Sequence, residues 1–234
     1  MEEIINRGLD YLYTYGIGFT LGTTVILLSS FMDVVISRNS YIHLTNNNYQ
    51  LYATGIDSVN TNLLGITPVI YSAVSCNLLD KTTHNIDIIK MFFLICIHNF
   101  GYYLVHRTFH VHKYLYRFHS FHHQFDKVLI PSISNAVSPT EFVVAYVCPM
   151  IASAKLLPCN EPTFLSAIAV ISICNLLIHC PEARRLPKIP LLISPEEHHI
   201  HHIERTKHYS ASVIDYDTIF DVNNYTNIIK LPET

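Results

Sequence analysis

The stretch HRTFHVHKYLYRFHSFHH, residues 106–123, carries the pattern that decides what the rest of the chain is arranged around. Five of its six histidines fall into two spaced sets: His106 with His110, then His119 with His122 and His123. In a helix, residues three or four positions apart project from one face, so each set would present its imidazoles to one side. The spacing therefore predicts helical histidine clusters that can bind metal.

A third set follows about eighty residues later in the sequence HHIHH, 198–202. His198 stands three residues before His201 and four before His202, which repeats the helical spacing. A single pair of this kind is most often a surface or core feature, but three sets in one chain favour a metal site. His179 ends the last apolar segment and adds an imidazole, and Asn175 precedes it by one turn on the same helix face.

The number of imidazoles predicts two metal ions, because a tetrahedral zinc takes four ligands and an octahedral iron six. The nine predicted ligands are His106, His110, His119, His122, His123, His179, His198, His201 and His202. Imidazole suits zinc, copper, iron and nickel alike, so ligand type leaves the metal open. The motif HExxH is absent from the sequence, which argues against a metalloprotease. Two histidine-held irons beside lipid would suit oxygen activation against an apolar substrate.

The composition indicates a membrane protein. Half of the 234 residues are hydrophobic and 14% are charged, whereas roughly a quarter are charged in a typical soluble domain. The net charge of −3 gives no support for a nucleic-acid partner. None of the six cysteines forms a CxxC pair, so a cysteine zinc site is not expected. The N-terminal MEEIINRGLD lacks a basic region, so we expect the first apolar segment to remain as an anchor.

The apolar segments predict an all-α fold, an integral-membrane helical bundle forming a single membrane domain over residues 1–234. Spanning takes about twenty mostly apolar residues, which favours four to five membrane helices. The candidates are 16–37, 62–79, 88–105, 142–157 and 163–180. The last two are short, so half-embedded helices stay open as an alternative. The polar stretch 38–61 is predicted to be a loop, in part poorly ordered.

The basic residues predict the topology. Nine of the fifteen lie in or beside the histidine-rich regions, and lysine and arginine concentrate on the cytoplasmic side of membrane proteins. An apolar hairpin separates the two regions, which returns both to the same side. Residues 106–127 and 181–222 should therefore form one cytosolic, metal-binding helical cap over the membrane helices.

The motifs resemble the histidine boxes of the fatty acid hydroxylase / sterol desaturase superfamily. HRTFH, HSFHH and HHIHH match the boxes in order. NFGYYLVHRTFH resembles the family's aspartate–aromatic–HR–H segment, and NAVSPTE resembles its HPxE segment. HHIERTKHYSASVIDYDTIFD resembles the closing segment. The similarity covers roughly residues 90–222 and is nearest to the sterol C4-methyl oxidase and cholesterol 25-hydroxylase branch.

This resemblance implies an oxygen-dependent oxidoreductase of the endoplasmic reticulum membrane with two iron ions, although zinc could occupy the purified protein. A lipid or sterol would be the substrate, and a cytochrome b5 or a reductase would supply electrons. By matching position, the nine histidines are the implied ligands. Four further residues are candidates for the site or its surroundings: Asn175, His208, Asn99 and Asp217.

The sequence departs from the family pattern at four positions. Asn99 replaces an aspartate, Ser138 the histidine of HPxE, His199 an acidic residue and His208 an asparagine. An aspartate at position 99 could orient a ligand histidine, and asparagine would hold it less firmly. The departures motivate a competing hypothesis, a catalytically weakened relative that serves as a membrane scaffold or lipid-binding protein. A zinc-dependent lipid hydrolase is a further alternative.

Overall fold

The structure is a computed structural model that describes residues 2–126 and 128–220. Within these ranges the chain is helical, without a β-strand of more than an isolated bridge. The α-helices are α1 (Glu2–Val35), α2 (Arg38–Asn47), α3 (Tyr49–Asn60), α4 (Thr67–Leu78), α5 (Ile88–Val111), α6 (Lys113–His119), α7 (Pro139–Glu141), α8 (Cys148–Leu156), α9 (Glu161–Ile178), α10 (Pro195–Glu204) and α11 (Tyr216–Ile219). Two π-helical segments, π1 (Thr61–Ile66) and π2 (Phe142–Val147), run into α4 and α8. Short 3₁₀ turns lie at His122–Phe125, Pro131–Ile133 and Pro181–Arg185.

Among the described residues, three helices are long and apolar enough to cross a membrane: α1, α5 and α9. With 34 residues, α1 is about 51 Å long, well beyond the roughly 30 Å of a bilayer's hydrocarbon core. The other two predicted spans, 62–79 and 142–157, coincide with π1–α4 and π2–α8. Whether these two cross the bilayer stays a prediction.

The predicted loop over 38–61 is wrong, because this stretch forms α2 and α3. α2 is mostly polar and buries only Leu44, whereas α3 has an apolar face: Val59 is in the core, and Leu51 and Tyr52 pack against it. Tertiary contact also holds the stretch in place. A Cβ atom on Gly55 would lie 2.8 Å from the Phe125 ring, so α3 packs directly on the histidine-rich cap.

Glycine allows α1 to pack unusually closely against π1 and α4. A Cβ atom on Gly18 would lie 2.8 Å from Pro68 Cα, and one on Gly22 would lie 2.1 Å from the Leu63 carbonyl oxygen. Only a residue without a side chain fits at Gly22. α1 and the continuous π1–α4 helix therefore form one wall of the bundle.

Local capping positions the helices that carry the histidines. Asp87 accepts a hydrogen bond from the Lys90 N–H at the start of α5. Ser194 and Glu197 form a reciprocal capping box at the start of α10, which ends at Arg205 in the left-handed conformation. The prediction of an all-α membrane bundle with a histidine-rich helical cap is confirmed.

Candidate metal centre

The nine predicted histidines come together in two buried groups. Within each group the candidate ligand atoms all lie within 4.8 Å of one another. The five-histidine group consists of His106, His110, His119, His123 and His201. The four-histidine group consists of His122, His179, His198 and His202. Both groups therefore have the compactness and donor chemistry of a metal site.

Neighbouring histidines in the sequence belong to different groups. His123 belongs to the five-histidine group and His122 to the four-histidine group. On α10, His201 belongs to the larger group and His202 to the smaller one. Consecutive residues on a helix point about 100° apart, because one turn takes 3.6 residues. The groups adjoin each other, since the ring centroids of His123 and His202 are 4.8 Å apart. Each HH pair thus bridges two adjacent sites.

The five-histidine group is held from outside by three hydrogen bonds. His106 Nδ1 donates to the Tyr209 carbonyl at 2.6 Å, and His201 Nδ1 donates to the Lys207 carbonyl at 2.8 Å. His119 Nδ1 lies 2.6 Å from Glu141 Oε1. A carbonyl can only accept, so His106 and His201 carry their proton on Nδ1 and present an Nε2 lone pair inward.

These inward lone pairs fit a metal ion. His201 Nε2 is buried without a hydrogen-bond partner, and His106 Nε2 lies 2.8 Å from His119 Nε2. A buried acceptor with no donor is costly, and a cation at the centre of the group would satisfy it. The donor set and its geometry therefore match a bound metal.

The four-histidine group has fewer outside contacts. His179 Nδ1 donates to the Asn175 carbonyl at 2.8 Å, and His122 Nδ1 reaches the Ala136 carbonyl at 3.4 Å. The Nδ1 atoms of His198 and His202 are buried without a partner. His198 Nε2 lies 3.1 Å from His179 Nε2 and 3.2 Å from His202 Nε2. The inward-facing nitrogens again converge on one point.

Burial keeps the cap histidines neutral, which is the form that binds metal. It lowers the pKa of His119 well below 6.5, and the neighbouring imidazoles lower that pKa further. The same two causes act in the same order on the pKa of His198 and of His202. At neutral pH these imidazoles are therefore uncharged, and protonation does not compete with metal binding.

Glu141 is the site residue that the sequence reasoning missed. It is fully buried at the end of α7 and contacts His119. Burial raises the pKa of this carboxyl well above 4.5, and a cation on His119 would oppose that rise. The signal was present, because Glu141 is the final residue of the NAVSPTE motif.

Ser138, which replaces the family histidine, organises this corner. Its hydroxyl donates to the Phe118 carbonyl at 2.7 Å and accepts from the Glu141 N–H at 3.1 Å. It therefore joins the end of α6, where His119 lies, to the start of α7. The substitution leaves the Glu141–His119 contact in place.

The additional candidate residues lie around the two groups rather than inside them. Asn99 Oδ1 accepts from the N–H groups of Val213 and Ile214, so it anchors the chain after α10 instead of orienting a ligand histidine. Asp217 accepts from the Ser210 N–H at 2.6 Å, next to the Tyr209 carbonyl that holds His106. Asn175 contacts His179 through its backbone carbonyl. His208 belongs to neither group; its backbone is left-handed.

Comparison with known families agrees with this geometry. The profile of the Fatty acid hydroxylase family matches residues 91–222, more than half of the chain. The chain belongs to the fatty acid hydroxylase family. This confirms the predicted superfamily, and the matched residues include all nine histidines of the two groups. No curated protein and no solved structure matches the chain. The nearest branch within the superfamily stays a prediction.

Proposed function

We propose that the protein is a membrane-bound di-iron oxygenase that hydroxylates, demethylates or desaturates a sterol or related lipid. The observation that carries this proposal is the pair of adjoining, buried, all-histidine groups at the end of a membrane helix. Family membership supports an oxidoreductase reaction. The nine histidines would hold two irons, which supply the activation of O2 when bound.

The protein's own residues provide position and exclusion of water. The nine ring systems are almost completely buried, so bulk water is kept from the metals. Tyr209, Lys207 and Asn175 fix ring orientation through their carbonyl groups. Glu141 places a carboxyl beside His119, which would make that imidazole a stronger metal ligand.

The membrane helices support a lipid substrate. His106 and His110 lie on the last turns of α5, one of the three helices that could span the bilayer. The metal groups therefore lie where an apolar segment ends, within reach of a molecule dissolved in the membrane. We further propose that the cap faces the cytosol at the endoplasmic reticulum and takes electrons from a cytochrome b5 or a reductase.

The weakened-relative hypothesis rested on four substitutions, and none of these positions is among the nine grouped histidines. Asn99 and Ser138 have positive structural roles in this chain. The oxygenase is therefore the function that we favour over a scaffold.

Metal content and oxygen use test the proposal. We expect about two irons per chain after purification in mild detergent, with a coupled di-iron Mössbauer signal. Oxygen consumption should rise on addition of a lipid substrate and a reductase system. Two zinc ions that persist after expression in iron-rich medium would favour a lipid hydrolase. Protein with no bound metal would favour the scaffold.

A further inference from the structure

A cavity of about 140 Å³ lies inside the helical bundle, between α1, α4, α8 and α9. Its wall is almost entirely apolar; representative lining residues are Val25, Val74, Phe164, Ile168 and Ile171. The polar residues of its lining are Thr67, Tyr71, His98, Asn135, Tyr146 and Ser172. An aliphatic ligand is the chemistry that such a wall accepts.

Both π-helical segments of the structure line this one cavity. π1 contributes Leu63, and π2 contributes Phe142, Tyr146 and Val147. A π turn is rare and tends to occur at functional sites, because it widens a helix locally and redirects side chains. The occurrence of both segments around one space indicates that the space has a function.

One end of the cavity approaches both metal groups. Tyr146 lines it, and the Tyr146 hydroxyl lies 3.5 Å from that of Tyr102, whose ring centroid is 5.2 Å from His106. Asn135 also lines it, and its side-chain oxygen lies 3.5 Å from the Asn175 amide nitrogen. Only a thin layer of side chains therefore separates the cavity from the histidines.

A polar cluster lies beside the cavity at Tyr71. Tyr71 lines the cavity there and donates to Glu161 Oε1 at 2.6 Å, and Ser75 donates to the same oxygen at 2.7 Å. On α9 the lining residues run from Phe164 to Ser172, eight positions or about 12 Å. The cavity thus extends from side chains beside the histidines to the Tyr71–Glu161 cluster.

We propose that this cavity holds the end of a slender hydrocarbon chain of the substrate, and that it excludes a fused-ring nucleus. The inference rests on the proposed function for the placement of the reacting carbon near the metals. An apolar cavity of about 150 Å³ is known to take one benzene ring, so a space of this size suits a chain. An acyl chain and the side chain of a sterol share this chemistry. In either case the bulkier part of the substrate stays outside the cavity.

Photolabelling without turnover tests the proposal. The probe is a long-chain fatty acid with a diazirine at its methyl end, irradiated with the purified protein in detergent and mapped by mass spectrometry. We expect adducts on Phe164, Ile168 or Ile171. Adducts confined to Ile173, which faces outward on the same helix with 47% of its surface exposed, would overturn the proposal.

Variants on one helix provide the matched control. Ile168→Trp fills the cavity and should reduce the adduct by about tenfold, whereas Ile173→Trp should leave it within about twofold. Iron content should stay equal in both proteins. If Ile168→Trp does not fold, Ile151→Phe replaces it at the opposite wall. A filled variant that folds and still labels fully would contradict the proposal.

Competition with unlabelled lipids distinguishes an acyl chain from a sterol side chain as the ligand of the cavity. An unlabelled fatty acid that displaces the probe while cholesterol does not identifies an acyl chain, and displacement by cholesterol as well identifies a sterol side chain as a second source. A steroid without a side chain should not compete, and equal competition by it would overturn the exclusion of the ring nucleus. Because no oxygen chemistry is measured, failure here is distinguishable from failure of the proposed oxygenase.

Discussion

The five-histidine and four-histidine groups share α10 and the 3₁₀ turn at His122–Phe125, but α5 and α6 contribute only to the larger group and α9 leads only into the smaller one. The two groups are also held differently. Three members of the larger group, His106, His119 and His201, have a partner for Nδ1 within 2.8 Å. In the smaller group only His179 has such a partner. Buried Nδ1 atoms without a partner belong to His198 and His202 in this group and to His123 in the larger one. The larger group therefore has more ring orientations fixed by hydrogen bonds from outside it.

The difference suggests that the two groups have different roles in binding metal and other ligands. If each group held an octahedral ion, five imidazoles would leave one position for other ligands and four would leave two. A weakly held imidazole can also rotate more readily. We infer that the four-histidine group leaves more room for exogenous ligands, while the five-histidine group serves more as a fixed anchor.

The largest expected effect comes from removing one ligand from each group. His119→Ala and His198→Ala should each lower the iron content at saturating iron from about two to about one per chain. The two variants should lose different Mössbauer components, because the groups differ in ligand number. His112→Ala is the matched control, since His112 is exposed and lies on the same stretch as His119. Loss of both irons in His119→Ala alone would show that the groups do not form separate sites.

Glu141→Gln should weaken metal binding by about 10- to 100-fold, and only at the five-histidine group. The amide keeps an acceptor near His119 but removes the negative charge. Competition with a chelator of known affinity measures the two sites separately. Glu196→Gln, an exposed change at the start of α10, provides the control. An equal loss at both groups would contradict the assignment of Glu141 to one of them.

Lys188→Met should destabilise both groups alike, by about 1 kcal/mol in the free energy of unfolding. The Lys188 ammonium pairs with Glu197 on α10 and with Asp215 before α11, and it is 39% exposed, which screens part of the effect. Thermal unfolding in detergent measures the change. Competition with a chelator then compares the two sites, and a loss of metal affinity at one group alone would contradict a common support by α10.

The ion pair between Lys188 and Asp215 makes the free energy of unfolding depend on pH. Burial alone would raise the pKa of Asp215, but hydrogen bonds from Thr218 and Lys188 outweigh burial and hold it below 3.8. A carboxyl whose pKa is lower when folded stabilises the protein above its unfolded pKa, and this contribution is lost as the pH falls through the folded pKa. The gap between the wild type and Lys188→Met should therefore narrow below about pH 4.

The smallest effect is expected for Asn175→Ala, less than about threefold in metal affinity at the four-histidine group. The contact with His179 comes from the backbone carbonyl, which the substitution leaves unchanged. The chelator titration used for Glu141 measures it. A loss as large as that of Glu141→Gln would mean that the Asn175 side chain itself reaches the metal.

The identity of the clustered histidines could be predicted from spacing, but their division could not. Helical periodicity indicates that His119 shares a face with both His122 and His123. The structure places His119 with His123 and assigns His122 to the other group. The choice depends on how α5, α6, α9 and α10 pack, which is a tertiary property that spacing along one helix does not contain.

Two other features escaped the sequence for physical reasons. α2 and α3 were predicted as a loop because the stretch is polar and contains three consecutive asparagines, 46–48. The apolar face of α3 packs in the core and against Phe125 of the cap, which stabilises the helix. Glu141 ends the NAVSPTE motif, but no spacing in the sequence pairs it with His119, 22 residues earlier, and the fold brings the two side chains together. Conversely, the apolar stretches around α1, α5 and α9 were predictable, because long apolar segments have few other uses.

The division of the HH pairs between groups has a thermodynamic consequence. His201 and His202 are adjacent on α10, so the ion that orders His201 also fixes the backbone that presents His202. Any motion of α10 that the first ion restrains would not have to be restrained again by the second. The second ion should then bind more tightly than the first. At half-saturating iron, chains should hold two ions or none more often than one, and native mass spectrometry would count these populations directly.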